Sequence, residues 1–215
     1  MPPQAISSYE NVKQARRDEI ARQNVCASNA RDFARTMTVR QKNGDDWHIE
    51  IWRSSADKGN VGLGNEKYYK SEIQLCYKNE VIFRASVQTS ADHPNLNNGE
   101  PEFEGRTLPA DKYTATLWKN TRSYILGMVL FEKFMIHPDQ FTTELRIQEE
   151  KGNKGPWNRP FGLGCMVMKL ADFYKMTGLM MAAGYKFENQ NFKGTVIQDT
   201  IKVEIHVNSF LEAQK

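Results

Sequence analysis

The sequence predicts a mainly β protein of the sandwich or barrel type, with a helix at its N-terminus and a second helix near its C-terminus. From Thr36 onward, short apolar runs are separated by Gly, Asn, Asp and Pro, which is typical of an all-β core. Near the start, Ser7 lies three residues before Glu10, the spacing of a reciprocal helix cap. A chain of 215 residues fits one all-β domain. We therefore expect a helical extension at 1–35 and one β-rich domain at 36–215.

The charge and hydropathy of the chain indicate which classes of partner it binds. The 29 basic and 26 acidic residues are interspersed and leave a net charge of +3, which predicts no nucleic-acid and no membrane partner. The uncharged run at 123–131 is too short to cross a bilayer and indicates a buried strand. The first residues lack an apolar signal core, so we expect no secretory signal and a protein that is cytoplasmic as produced. Nothing in the sequence indicates the oligomeric state.

The first half of the chain predicts one helix and two hairpins. The helix covers Tyr9–Ala34, and its thin apolar stripe predicts a surface position with a break near Asn24. The hairpins, separated by a glycine-rich loop at 59–65, pair Thr36–Arg40 with Trp47–Arg53 and Ser71–Tyr77 with Val81–Val87. In the first hairpin, alternation predicts one face with Trp47, Ile49 and Ile51 and an opposite face with His48, Glu50 and Trp52.

The second half predicts further strands and one helix. A turn at Leu108 leads into a strand that ends at Leu117, and a strand pair follows. Because proline cannot donate to a sheet, the second strand of that pair should end at His137-Pro138. That strand pair covers 123–130 and 133–136. Further predicted elements include a strand at 166–168, a helix at 170–183 stopped by Gly184, and a strand at 200–207. The helix should turn Leu170, Phe173, Tyr174 and Met181 toward the core.

The three cysteines predict neither a disulfide framework nor a metal site. They are widely separated and form no CxxC pair, and no other ligand lies at chelating spacing. Cys26 and Cys76 are interpreted as small buried residues, and His48 and His206 as surface residues. The Met-rich cluster at 166–181 is interpreted as core filling. We therefore expect no metal and no cofactor.

One pair of residues suggests chemistry. Cys165 follows Gly162-Leu163-Gly164, which can hold a thiol at the mouth of a sheet while backbone N–H groups face an oxyanion. His137 stands at the predicted strand end 28 residues upstream and could serve as the base for that thiol. On spacing alone, a buried structural cysteine and a turn-capping histidine are the favoured interpretation.

The order of features between Leu108 and Phe173 resembles the L,D-transpeptidase catalytic domain, and also a small bacterial and phage family related to it. The shared features are a segment like Thr107-Leu108-Pro109-Ala110-Asp111, a strand ending in His137, a loop, and Gly164-Cys165 leading into an apolar strand and a helix. This resemblance implies Cys165 as an acyl-accepting nucleophile, His137 as its base, and peptidoglycan stem peptides as substrates. The protein would then reach the cell wall by a non-classical route or after lysis.

Departures from the family pattern leave alternatives open. Leu163 stands where the family has a histidine, and Val167 stands where it has an arginine. Gly164 would contribute an oxyanion donor, while Arg146, Arg159 and Trp157 on the long loop could bind substrate in place of that arginine. A second alignment puts Gln148 at the position of the base. The same fold could then serve as a binding or structural module without catalysis.

Overall fold

The structure is a computed structural model that describes residues 3–61, 66–90, 108–119, 126–131, 134–138, 166–189 and 199–207. In these segments it contains two helices, α1 (Pro3–Thr36) and α2 (Leu170–Ala182). The strands are β1 (Trp47–Val61), β2 (Glu66–Tyr77), β3 (Glu80–Ser90), β4 (Lys112–Lys119), β5 (Leu126–Phe131), β6 (Phe134–Pro138), β7 (Met166–Met168), β8 (Glu188–Asn189) and β9 (Thr200–Val207).

Eight of the strands close into a barrel. Their order is β5-β6-β7-β3-β2-β1-β9-β4, and β4 pairs back onto β5, while the short β8 adds to β4. Two pairs of neighbours in the closed ring, β1 with β9 and β6 with β7, are parallel, and the others are antiparallel. The mainly β fold with two helices is therefore confirmed, and its form is a closed barrel.

Alternating side chains fill the barrel, as the period of a β-strand requires. The predicted face of β1 is confirmed, since Trp47, Ile49 and Ile51 are at most 1% exposed. In β9, Ile201, Val203 and Ile205 are buried while Lys202 is exposed. The same core includes Ile73 and Leu75 of β2, Leu117 of β4, Met128 of β5 and Ile136 of β6.

The predicted partner of β1 is wrong. Helix α1 continues to Thr36, and residues 37–43 form no strand, so β1 pairs with β2 and β9 instead. The predicted turn is present, with Gly44 at φ +53°. The segment before it, however, binds the end of α2, because Lys42 N donates to Ala183 O at 2.7 Å and Gln41 Nε2 donates to Ala182 O at 3.1 Å. These bonds remove the segment from the sheet.

The β2–β3 hairpin is confirmed, with the turn at Lys78 and Asn79, although both strands extend beyond the predicted limits. Lys78 takes a positive φ of 53°, which suits a tight connection between antiparallel strands. Strand β1 is also longer than predicted. Gly59 and Asn60, assigned to a loop from their composition, pair with Tyr68 and Lys67 of β2.

The predicted helix is confirmed as α2, but one residue that was expected on its buried face is exposed. Leu170, Phe173 and Tyr174 are buried, but Met181 is 42% exposed because it lies on the outer side of the last turn. Four methionines of the predicted cluster do belong to the core: Met166, Met168, Met176 and Met180.

Helix α1 packs along α2 without the predicted break at Asn24. Ala30 is 1% exposed and lies so close to Gly178 that a Cβ placed on this glycine would be 3.1 Å from the Ala30 Cβ. Tyr174 Oη donates to Gln23 Oε1 at 3.3 Å, which adds a polar contact between the helices. Neither of the two described helices has both the length and the hydropathy needed to cross a membrane.

Asp199 connects three segments just before β9. Both of its carboxylate oxygens accept from Lys42 Nζ at 2.7 Å, and Oδ2 also accepts from Lys186 N at 2.7 Å. Partial burial works to raise the pKa of Asp199, but these hydrogen bonds and the two lysine charges outweigh it and lower the pKa below the ordinary 3.8. The carboxylate therefore stabilises the fold in its charged form.

Asp199→Asn is expected to lower the free energy of unfolding by about 1 kcal/mol at neutral pH, because the group is partly solvated. Since the folded pKa lies below the unfolded one, this contribution is complete above pH 3.8 and is lost as the pH falls through the folded pKa. Urea unfolding of wild type and variant at neutral and strongly acidic pH measures it. The difference should shrink in acid, and a constant difference would contradict the assignment. Asp45→Asn, at a carboxylate 73% exposed, is the control.

Candidate active site

The candidate site is built on two neighbouring parallel strands, β6 and β7. Their register pairs Ile136 with Met166 and His137 with Val167. Ile136 and Met166 point into the barrel core, where they are at most 1% exposed. Because side chains alternate along a strand, His137 and Val167 lie together on the opposite face.

His137 is half-buried near the end of β6. The predicted end of the strand at His137-Pro138 is confirmed, since β6 ends at Pro138, which pairs with Met168. A proline can occupy this last position because the final residue of a strand need not donate to the ladder. The histidine side chain is thereby anchored on a paired strand rather than on a loop.

A backbone contact selects the tautomer of the His137 ring. Nδ1 lies 2.9 Å from the carbonyl oxygen of Pro138. A carbonyl oxygen only accepts, so Nδ1 carries the hydrogen, and Nε2 is then the basic nitrogen of the neutral ring. This arrangement suits a general base that works through Nε2.

Val167 is 5% exposed beside His137. The resemblance to the transpeptidases implies an arginine at this position, whereas this chain has an apolar, buried side chain there. The described chain therefore places no positive charge at position 167.

The other residues of the predicted site lie outside the described segments, namely Cys165, Gly164, Arg146, Gln148, Trp157 and Arg159. The pairing of His137 with Cys165 accordingly stays a prediction. The chain is described only from the residue after Cys165: Met166, the first residue of β7, pairs with Ile136, the neighbour of His137.

A second polar group, which sequence reasoning missed, lies on the outer face of β1 and β2. His48 pairs with Cys76 across the two strands, and Glu50 follows two residues later on the same face of β1. One ligand atom from each of the three side chains lies within 4.8 Å of the others. The alternation of β1 predicts His48 and Glu50 on one face, but the sequence predicts Thr36–Arg40 as the partner of β1 and so does not indicate that Cys76 lies beside them.

Hydrogen bonds order this group. His48 Nε2 lies 3.3 Å from Glu50 Oε1, and Trp52 Nε1 donates to Glu50 Oε2 at 2.9 Å. Burial, followed by the negative charge of Glu50, raises the pKa of Cys76 to about 12, while Arg84 works in the opposite direction. Cys76 is thus a protonated thiol at neutral pH.

The predicted environments of the histidines and cysteines are partly corrected. Cys76 is buried as expected, whereas Cys26 is only half-buried. His48 and His206 are half-buried rather than on the open surface. The ring of His206 stacks on Trp52 at 4.0 Å between centroids.

Comparisons with known proteins find no family model, no curated protein and no solved structure that matches this chain.

Proposed function

We propose that this protein is a cysteine acyl-transfer enzyme of the L,D-transpeptidase type that acts on peptidoglycan stem peptides. The observation that carries the proposal is the parallel pairing of β6 with β7, in which His137 lies opposite Val167. Val167 follows Cys165 by two residues in the sequence, and the proposal brings the Cys165 thiol to the His137 ring.

The proposed reaction has two steps. The Cys165 thiol transfers its proton to His137 Nε2 and attacks a peptide carbonyl, and His137 then returns the proton to the leaving amine as the C–N bond breaks. Backbone N–H groups at Gly164 and Cys165 stabilise the oxyanion. An acceptor amine, or water in a peptidase reaction, resolves the thioester and releases the thiol. Arg146, Arg159 and Trp157 are the proposed substrate contacts.

The hydrogen bond from Nδ1 to the Pro138 carbonyl supports the role of His137. It fixes the ring orientation and makes Nε2 the basic nitrogen, as in enzymes where a backbone carbonyl orients a catalytic histidine. Gln148, the alternative at the position of the base, has an amide side chain that cannot accept a proton at neutral pH.

A second candidate function is a binding or structural module of the same fold without catalysis. The buried Val167 favours it, because an apolar residue occupies the place where the transpeptidases hold an arginine beside the histidine. Both candidates predict the same barrel but differ in the reactivity of Cys165.

Alkylation by iodoacetamide at neutral pH, followed by peptide mass spectrometry, separates the two candidates. If the proposal holds, Cys165 reacts at least about 10-fold faster than Cys76, which is buried and has a pKa of about 12. His137→Gln should slow the labelling of Cys165 alone, whereas His206→Gln, which removes a histidine stacked on Trp52, should not. Incubation with purified stem peptides should then add one acyl group to Cys165.

Two results would overturn the proposed enzyme function. One is a Cys165 that is labelled no faster than Cys26 and is indifferent to His137→Gln. The other is a reactive Cys165 that acquires no acyl group from any stem peptide, which would keep the thiol chemistry but reject the substrate class.

A further inference from the structure

We propose that His48, Glu50 and Cys76 form a binding site for a zinc ion on the outer face of the barrel. Imidazole nitrogen, carboxylate oxygen and thiolate sulfur are the donor atoms that Zn²⁺ takes in proteins, and three protein ligands leave a fourth position for water. The site is independent of the proposed acyl transfer, because β3 lies between β2 and β7 in the barrel.

The distances suit a tetrahedral ion. Bonds of 2.0 to 2.3 Å imply separations of about 3.3 to 3.8 Å between ligand atoms. His48 Nε2 and Glu50 Oε1 are already 3.3 Å apart, and no pair among the three ligand atoms is separated by more than 4.8 Å. Side-chain rotation of Glu50 and Cys76 is enough to complete the contraction around an ion, since the paired strands already fix the backbone.

Glu50 has a hydrogen-bond partner outside the group of three proposed ligands. Trp52 Nε1 donates to Glu50 Oε2, which orients the carboxylate and leaves Oε1 directed toward His48. Partners of this kind commonly hold ligands in place around bound metals. Trp52 is itself held by stacking on His206.

Gln74 supplies an independent observation. It is fully buried, pairs with Glu50 across β1 and β2, and lies two residues from Cys76 on the same face. Its Nε2 donates to Glu72 Oε1 at 2.6 Å, but among the described residues its Oε1 has no hydrogen-bond donor. A buried acceptor without a donor is costly. Gln74 is the cross-strand neighbour of Glu50, so the proposal assigns a water on the zinc ion as the donor to this oxygen.

Binding exchanges a proton for the ion. The Cys76 S–H bond breaks, the sulfur forms a bond to Zn²⁺, and the proton leaves to solvent. The hydrogen that His48 Nε2 directs at Glu50 moves to Nδ1 by exchange with solvent, so that the Nε2 lone pair can bind the ion. No oxidant or reductant is needed. Because Glu50 and a Cys76 thiolate are both negative, the cation removes the repulsion between them and ties β1 to β2.

The test uses the full chain with Cys26→Ser and Cys165→Ser, so that Cys76 is its only thiol. Titration with Co²⁺, which replaces zinc and reports sulfur ligation by a thiolate-to-metal absorption band, should saturate at one equivalent. Zn²⁺ should then displace the cobalt and abolish the band. Thermal unfolding with and without Zn²⁺ should show a higher midpoint with the metal.

Single-residue variants distinguish the proposed zinc ligands from residues that only lie near them. Cys76→Ser should abolish the absorption band, and Glu50→Gln should weaken zinc binding at least about 10-fold. Trp52→Phe keeps the ring but removes the donor to Glu50, and it should weaken binding by about 10-fold. Glu204→Gln is the matched control, because Glu204 pairs with Glu50 in the sheet but forms its ion pair with Lys112. It should bind zinc nearly as tightly as the parent.

Two results would overturn the proposal. The first is the absence of saturable binding near one equivalent in a parent chain that circular dichroism shows to be folded. The second is binding that Glu50→Gln and Trp52→Phe leave unchanged, since both variants keep Cys76 and the barrel core.

Discussion

Phe173→Ala is expected to destabilise the protein by about 3 to 5 kcal/mol, the range for deleting a large buried aromatic side chain. Phe173 is 0% exposed, belongs to the main core, and contacts the Tyr174 ring edge to face at 6.3 Å between centroids. Its removal leaves a cavity at the base of α2, next to the barrel. Urea unfolding followed by circular dichroism measures the loss.

Met181→Ala is the matched control for this prediction. Met181 lies on the same helix but is 42% exposed, so its truncation should cost less than about 1 kcal/mol. If the two variants were equally stable, Phe173 would not hold α2 against the core.

Gly178→Leu is expected to lower the free energy of unfolding by about 3 kcal/mol through overpacking. A Cβ at Gly178 would lie 3.1 Å from both the Cβ and the carbonyl oxygen of Ala30, so the remaining atoms of a leucine have no space unless α1 moves away. The backbone oxygen cannot rotate aside as a flexible side chain would. Separation of α1 from α2 is therefore the expected response.

Limited proteolysis with trypsin detects that response, because Arg31 and Arg35 lie in the C-terminal part of α1. Cleavage there should become faster in Gly178→Leu. Ala171→Leu places the same side chain on an exposed position of α2 and should change neither the cleavage rate nor the stability by much. Unchanged cleavage in Gly178→Leu would show that α1 is not held at this contact.

Much of the local structure could be predicted, because it depends on neighbours in the sequence. The alternation of Ile201, Val203 and Ile205 predicts β9, and Gly184 predicts the end of α2. The pairing of strands could not be predicted in the same way. Apolar alternation shows which side of β1 is buried, but it is equally compatible with Thr36–Arg40, β2 or β9 as the partner.

The two candidate sites differ in the same way in how far the sequence predicts them. His137 could be placed near a strand end because Pro138 follows it directly in the sequence. The group of His48, Glu50 and Cys76 could not be found, because His48 and Cys76 are neighbours only through the register of β1 with β2. A sequence-spacing search for metal ligands therefore predicts no site, although the sheet brings the three side chains together.

The position of β9 also determines when the barrel can form. β9 lies between β1 and β4 in the barrel. Its pairing with β1 joins His48 to Lys202, two residues that are far apart in the sequence. A nascent chain that has not yet emerged as far as β9 therefore exposes two unpaired strand edges, which are templates for intermolecular pairing. Such long-range closure makes folding slow compared with the formation of hairpins. The ring can close only after synthesis reaches β9, so chaperone protection matters most during that interval.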